Sequence, residues 1–267
     1  MLLRKGRPAL MAMDSLIHPD TLLQALETAE PIWVQLQAYY GLLAETDCDC
    51  NHLGSCCRFF PEMTFSEALQ WVDVIRRLAP PLQTGTLRRF LEFYLTCPLH
   101  SEGCPFLDAG RCSVYPQRPF ACRAYGLWSM ETGRRRTLEN RESRDALIRH
   151  WKHYGVELPP EKALVEMDYC AEVRCHPTGL ANDKDLLDVL GKIYELDRSF
   201  WPLSSSFENH YHSDFSFLLA GMLLGDRKAV LGKFAVIKDL VRQQPNGRLQ
   251  AMLSQARLER VFTDLRA

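Results

Sequence analysis

The residues best suited to chemistry in this 267-residue chain are its ten cysteines, eight of which lie between positions 48 and 122. The first group reads Cys48-Asp-Cys50-Asn-His-Leu-Gly-Ser-Cys56-Cys57. The second reads Cys97-Pro-Leu-His-Ser-Glu-Gly-Cys104-Pro-Phe-Leu-Asp-Ala-Gly-Arg-Cys112, followed by Cys122, and Cys170 and Cys175 complete the set. Cysteines used only as small core residues would scatter along the chain. Thiolates are soft ligands that select zinc, copper(I) or iron–sulfur clusters over hard cations. Glycine and proline beside them suit loops that must turn sharply to aim several sulfurs at one point. Disulfides are the competing use. A chain of this length builds a core without staples, and the opening MLLRKGRPALMAMD has no continuous apolar stretch of an export signal. The spacing therefore predicts a metal centre with Cys48, Cys50, Cys56, Cys57, Cys97, Cys104, Cys112, Cys122, Cys170 and Cys175 as candidate ligands.

The kind of metal is read from the spacing. Structural zinc favours two C-x(2–4)-C knuckles and four ligands in total. That pattern is absent, and adjacent Cys56-Cys57 is awkward for a knuckle. Four-cysteine ligation of a [4Fe–4S] cluster tolerates more varied spacing. The sulfur surplus thus favours one or two iron–sulfur clusters, with zinc as the alternative.

Helices must position these loops. Leu22, Leu23, Leu26 and Ala29, then Ile32, Trp33, Leu36 and Tyr40, recur at amphipathic helical spacing, with a break or a new first turn at Pro31. Residues 47–61 lack periodicity and read as loop. Thr64-Phe-Ser-Glu67 is a capping box opening a helix to about Leu78, which Pro80-Pro81 ends. A further helix is expected over 84–96, then irregular chain from Cys97 to Tyr125 with a short strand pair near 113–127. Helices follow at 139–154, 160–168, 182–200, 207–224, 226–243 and 247–264. The fold class is mainly α: helical blocks flanking an irregular, cysteine-rich metal-binding core. The division expected is 1–180, with the motif region 48–125 closed by 170–175, and a C-terminal helical annex over 181–267.

Composition narrows the function. Net charge is −1 and charged residues make up 24%, so whole-protein attraction to nucleic acid or membrane is not expected. The mostly apolar run Phe215–Leu224 is shorter than the ~20 residues of a membrane span. A cytoplasmic location is the expectation. A local basic stretch, 111–152, has ten Lys/Arg against four Asp/Glu. It lacks interleaved aromatics, so a solvated helix with salt bridges from Arg134-Arg135-Arg136 to Glu139 and Glu142 is favoured over RNA contact. His150 with His153, and His210 with His212, read as surface pairs, while His176 is a weak candidate ligand beside Cys175. No GxGxxG, P-loop, CxxxCxxC or GxSxG motif occurs. Any cofactor chemistry would be organised by the metal centre.

The block Gly54-Ser-Cys56-Cys57, Thr64-Phe-Ser-Glu67-Ala68 and Cys104-Pro-Phe-Leu-Asp108-Ala-Gly110-Arg-Cys112-Ser-Val-Tyr115-Pro-Gln-Arg118-Pro119-Phe-Ala-Cys122-Arg123-Ala-Tyr125 resembles the YkgJ-type CxxCxxCC family. Its members are described as zinc- or iron-chelating proteins and include flagellin lysine N-methylases. The resemblance covers about 50–125 and matches Cys50, Cys56, Cys57, Cys104, Cys112 and Cys122. It also implies S-adenosylmethionine-dependent lysine methylation of a protein as one form of the activity. Registered on Cys56-Cys57, the family's second cysteine falls on Leu53, so either Cys48 or His52 replaces it through a rearranged loop or the site holds one ligand fewer. Within the block, Arg118, Arg123 and Tyr115 are candidate cofactor-binding residues. The competing reading has Arg118 capping a carbonyl, Arg123 pairing with an acid on a neighbouring helix, and Tyr115 and Tyr125 walling the site from water. A protein or small-molecule substrate, and either an enzyme or a non-catalytic staple or electron-transfer module, fit these residues.

Overall fold

Proline placement and side-chain caps open most of the helices. A computed structural model describes residues 16–48, 57, 60–99, 103–161, 163, 173–176, 178–258 and 262. Helices α1 (Pro19–Glu27) and α2 (Glu30–Tyr40) each carry proline in the first turn, where a missing N–H costs nothing. After β1 (Thr46–Cys48) comes α3 (Phe65–Arg77), opened by the predicted Thr64/Glu67 box. Helix α4 (Pro80–Thr96) starts at the proline pair that the sequence reading used as a stop. Both uses are compatible, since proline ends one helix and opens the next.

The cysteine region has only short elements: β2 (Leu107–Asp108), β3 (Arg111–Cys112) and the four-residue helix α5 (Phe120–Arg123). Helix α6 (Met130–His153) follows, capped by Ser129, whose hydroxyl accepts from the Thr132 amide at 3.2 Å. It begins well before the expected start at 139, because the cap lies among polar residues that carry no apolar periodicity. Strand β4 (Val173–Cys175) precedes α7 (Asp183–Leu196), which Asn182 caps and a 3-10 turn, Asp197–Phe200, continues. Then come α8 (Leu203–Asn209), α9 (Phe215–Leu224), α10 (Asp226–Val241) and α11 (Gly247–Gln255).

Several expectations need correction. The helix read over 207–224 is two, because His212 and Ser213 take left-handed φ of 56° each and Asp214 recaps the chain through the Ser216 and Phe217 amides. The strand pair sits at 107–112 rather than 113–127. Ala109 and Gly110 both have positive φ, 45° and 77°, which is the two-residue hairpin loop whose twist matches the strands. The ladder of β1 with β4 was not foreseen, since three-residue strands carry too little alternation to read. Helix α11 ends at Gln255 rather than 264. The helix expected over 160–168 lies largely outside the described residues.

Three apolar clusters hold the chain. The main one joins α1, α3, α4, α8, α9, α10 and α11 around Trp71, Phe90, Phe215, Leu219 and Val236. A second joins α2, α5 and α7 through Leu36, Tyr40, Phe120, Ala124, Leu186 and Ile193. A third seats Trp151 near the end of α6 against Ile237 and Phe234 of α10. The structure is mainly helical, as the sequence reading expected, and among the described residues no helix is long and apolar enough to cross a membrane.

Candidate metal centre

The cysteine segment is too short in regular structure to hold itself, so its positions are set by three anchors from the main cluster. Phe106, two residues past Cys104, is buried between Trp71 and Phe90, with edge-on ring centroids 4.8 and 5.0 Å away. Its carbonyl accepts from the amide and the hydroxyl of Ser113, each at 2.9 Å, which closes the β2–β3 hairpin. The Trp71 indole N–H donates to the Gln117 carbonyl at 2.8 Å. Glu67, one turn before Trp71 on α3, accepts the Phe120 amide at 2.5 Å.

These anchors bring Cys104, Cys112 and Cys122 into one electrostatic neighbourhood. Cys104 ends the turn into the hairpin, Cys112 pairs with Leu107 in it, and Cys122 lies on α5. Burial pushes the Cys104 thiol up to about 12, with Cys112 adding to the rise, while an N–H from Phe106 to its sulfur opposes it. Cys122 is raised by burial first, then by Cys104, with Arg118 opposing and Cys112 and Glu67 adding. The charge of each thiolate is thus felt by another, and an N–H···S bond is the kind that stabilises a bound thiolate.

Cys57 joins this neighbourhood through backbone. Its carbonyl accepts the Cys104 amide at 2.5 Å. Gly103, at φ +100°, lets the chains meet, since a Cβ there would stand 3.2 Å from the Cys57 carbonyl oxygen. The two cysteine groups therefore converge at Cys57 and Cys104. Among the described residues no group of three or more His, Cys, Asp or Glu side chains is arranged to hold a metal ion as it stands. Cys50, Cys56, Cys170 and His52 lie outside the described residues. The donor set that is described, sulfur held by short loops with an N–H aimed at one thiol, fits a soft or borderline metal.

The remaining cysteines stand elsewhere. Cys97 closes α4 as a half-buried thiol, its pKa raised by loss of solvent, with Lys233 and Asp214 as its charged neighbours rather than the other thiols. Cys175 is exposed on β4, its thiol 3.9 Å from the Gly126 carbonyl. The ladder pairs Thr46 with Cys175 and Cys48 with Val173, so the Cys48 and Cys175 positions lie two steps apart along it. Val173 presses on Gly126, four residues past Cys122, where a Cβ would meet it at 2.6–2.7 Å. Cys175 is thus strapped beside the exit of α5.

Arg118 lies 3.5 Å over the Tyr115 ring and its Nε donates to the Tyr115 carbonyl at 3.1 Å. This is the carbonyl cap of the sequence reading. Arg123 differs from it: its Nε donates to the Arg118 carbonyl at 2.7 Å and a second nitrogen donates to the Pro116 carbonyl. Its guanidinium lies 4.3 Å over Tyr40, and burial lowers its pKa. Among the described residues Arg123 is bonded to carbonyls and pairs with no acid, and Glu67 accepts from other donors. Tyr115 is 51% exposed and Tyr125 half-buried.

His150 and His153 flank the Tyr154 ring at 5.0 and 5.2 Å, and His210 meets Asp226 at 3.1 Å. The His176 amide donates to the Glu45 carbonyl at 2.9 Å. Along α6, Arg135 faces Glu139 at 3.8 Å and Arg136 stacks 3.9 Å over Trp128. Residues that matter to the centre were read otherwise or not at all: Tyr40 as a helix face, Glu67 as a cap, Phe106 only as part of the motif block, and Trp71 without a role. The Glu67–Trp71 spacing of one turn was the available signal.

Residues 47–146 match the model of the CxxCxxCC family, a "putative zinc- or iron-chelating domain". The resemblance read from the motif block is therefore shown over this stretch, and it supports binding of zinc or iron. Searches of curated proteins and of solved structures found no match.

Proposed function

We propose that this zinc- or iron-chelating domain holds an iron–sulfur cluster on Cys104, Cys112 and Cys122, with Cys50, Cys56 and Cys57 from the first cysteine group. The observation that carries the reading is the convergence of the thiol-bearing segments: the Cys57 carbonyl accepts the Cys104 amide, Cys112 lies in the hairpin that follows Cys104, and Cys122 lies on the helical turn whose Phe120 amide Glu67 accepts. The excess of sulfur over the four that zinc needs favours a cluster. The position matching the family's second cysteine is Leu53, and the β1–β4 ladder supports Cys48 or Cys175 as the source of a further thiolate. Bound there, the cluster would supply electron transfer or Lewis acidity to a small molecule.

The resemblance extends this reading to an enzyme that transfers a methyl group from S-adenosylmethionine to a protein lysine. This chain's own residues would then serve as follows. Arg118 and Arg123 hold the 115–123 turn against Tyr40 and present positive charge beside Cys122. Tyr115, exposed over Arg118, offers an aromatic face to a bound cofactor.

A zinc staple without catalysis is the second reading, favoured by the burial of Cys104 and Cys122, as closed structural sites are buried. A nucleic-acid substrate would rest on α6 alone, where ion pairing and stacking already occupy Arg135 and Arg136. Anaerobic purification separates the metals. A brown protein containing iron and sulfide supports the cluster, and a colourless protein with stoichiometric zinc overturns it. Calorimetry with S-adenosylmethionine then tests the methyl-transfer form, which fails if the loaded protein shows no binding.

A further inference from the structure

We propose that Glu67 is a positioning residue for the thiolate centre, a role that rests on the metal-centre reading above. Its carboxyl is 3% exposed and accepts four hydrogen bonds from three parts of the chain. One oxygen accepts the Tyr40 hydroxyl and the Phe120 amide, both at 2.5 Å. The other accepts the Thr64 amide at 2.8 Å and the Thr64 hydroxyl at 3.1 Å. A capping box needs only the Thr64 amide on this carboxylate, with the Thr64 hydroxyl accepting from the Glu67 amide in return. The Tyr40 and Phe120 bonds exceed what capping α3 requires, and they reach toward the cysteines.

Phe120 opens α5, the four-residue helix that carries Cys122. So short a helix cannot hold its own orientation, because it satisfies few of its own amides. Glu67 supplies the acceptor at its N-terminus and fixes that acceptor to α3. Tyr40 ties the same oxygen to α2, and the Tyr40 ring supports the Arg123 guanidinium beside Cys122. One carboxylate thus sets the direction from which Cys122 faces Cys104 and Cys112. Only a carboxylate accepts four donors at once. Glutamine would turn an NH2 toward two of them and leave buried donors facing each other.

The test uses the full chain as Glu67→Gln, Tyr40→Phe and, as a control on α9, which carries no cysteine, Leu219→Ala. Zinc affinity is read by competition with a chromophoric chelator, and thiolate geometry by the visible spectrum of the cobalt(II)-loaded protein. Loss of an outer partner of a metal ligand costs about 10–100-fold in affinity. Glu67→Gln is expected to fall in that range with a changed cobalt spectrum, while Leu219→Ala loses stability but keeps both metal readouts. Wild-type affinity and an unchanged cobalt spectrum in Glu67→Gln would reduce Glu67 to a helix cap and overturn the proposal. If Glu67→Gln does not fold, Tyr40→Phe decides: it removes one bond of the four, and a weakened affinity supports the proposal whereas an unchanged one sinks it. Wild-type protein that binds neither zinc nor cobalt defeats the metal centre itself, and this inference with it.

Discussion

The helical block of α4, α9, α10 and α11 and the cysteine centre at 104–122 touch through Phe106, yet they are held by different physics. In the block, Phe90, Leu218, Leu219, Ala220 and Ile237 are fully buried. Helix α9 is apolar all round, so burial of side chains alone accounts for its position. In the centre the regular elements are two-residue strands, a 3-10 turn and one helical turn, and beside the buried Phe106, Val114 and Phe120 stand polar groups out of water: Glu67, the half-buried Cys104 and Cys122 thiols, and the amides that Glu67 accepts. Such a region buries a few apolar anchors rather than a continuous face, so its polar contacts and a bound metal have more to hold. A single chain can therefore contain one part that folds by burial and another that folds by ligation.

The largest expected break in that comparison is metal withdrawal. A structural zinc site is worth about 10–16 kcal/mol of apparent binding free energy, which here would be spent on ordering the centre. Chelation, or serine at Cys104, Cys112 and Cys122 together, is expected to abolish hydrogen-exchange protection across 104–125. Amides of α4, α9 and α10 should stay protected, and simultaneous loss in both regions would show that they fold as one. Next is Leu219→Ala, which removes a fully buried side chain from α9. It should cost about 2–5 kcal/mol in denaturant unfolding and leave metal content unchanged.

Smaller effects sharpen the boundary. Ala109 sits at φ +45° in the hairpin between Cys104 and Cys112, a conformation costing roughly 1–2 kcal/mol for a residue with a Cβ. Ala109→Gly is expected to recover up to about 1 kcal/mol, and a calorimetric melt showing destabilisation would contradict the assigned turn. Least is the acid response of α6. Asp183 accepts from the Ser129 amide at 2.8 Å and from the Ser129 and Thr132 hydroxyls at 2.6 Å each. Slight burial raises its pKa, but these bonds outweigh it and the net shift is downward. A lowered carboxyl stabilises the fold above its unfolded pKa, and that contribution is lost as pH falls through the folded value. Asp183→Asn should flatten this acid-side loss in a pH series of melting temperatures. An unchanged slope would remove Asp183 from the account.

The same contrast explains what the sequence made legible. Helices α3, α7 and α10 were readable because apolar spacing, Thr64, Asn182 and Pro245 mark them locally. The cysteine centre was readable as chemistry, through residue type and clustering, but not as geometry. Its hairpin loop depends on Ala109 at positive φ, which composition does not signal. The β1–β4 ladder joins residues far apart in sequence, and so does the Tyr40–Glu67–Phe120 contact. The break of 207–224 was hidden because Tyr211 and Phe215 keep an apolar spacing across the turn that separates α8 from α9.

The central claim, that Cys104, Cys112 and Cys122 hold a metal, is tested most directly by one measurement. Iron, sulfide and zinc are determined against protein concentration in anaerobically purified wild type and in the triple serine variant. The account predicts stoichiometric metal in the wild type, with iron and sulfide together if the cluster reading holds, and loss of that metal in the variant. Metal-free wild-type protein with a fully protected 104–125 segment, or a variant that keeps its metal, would contradict it.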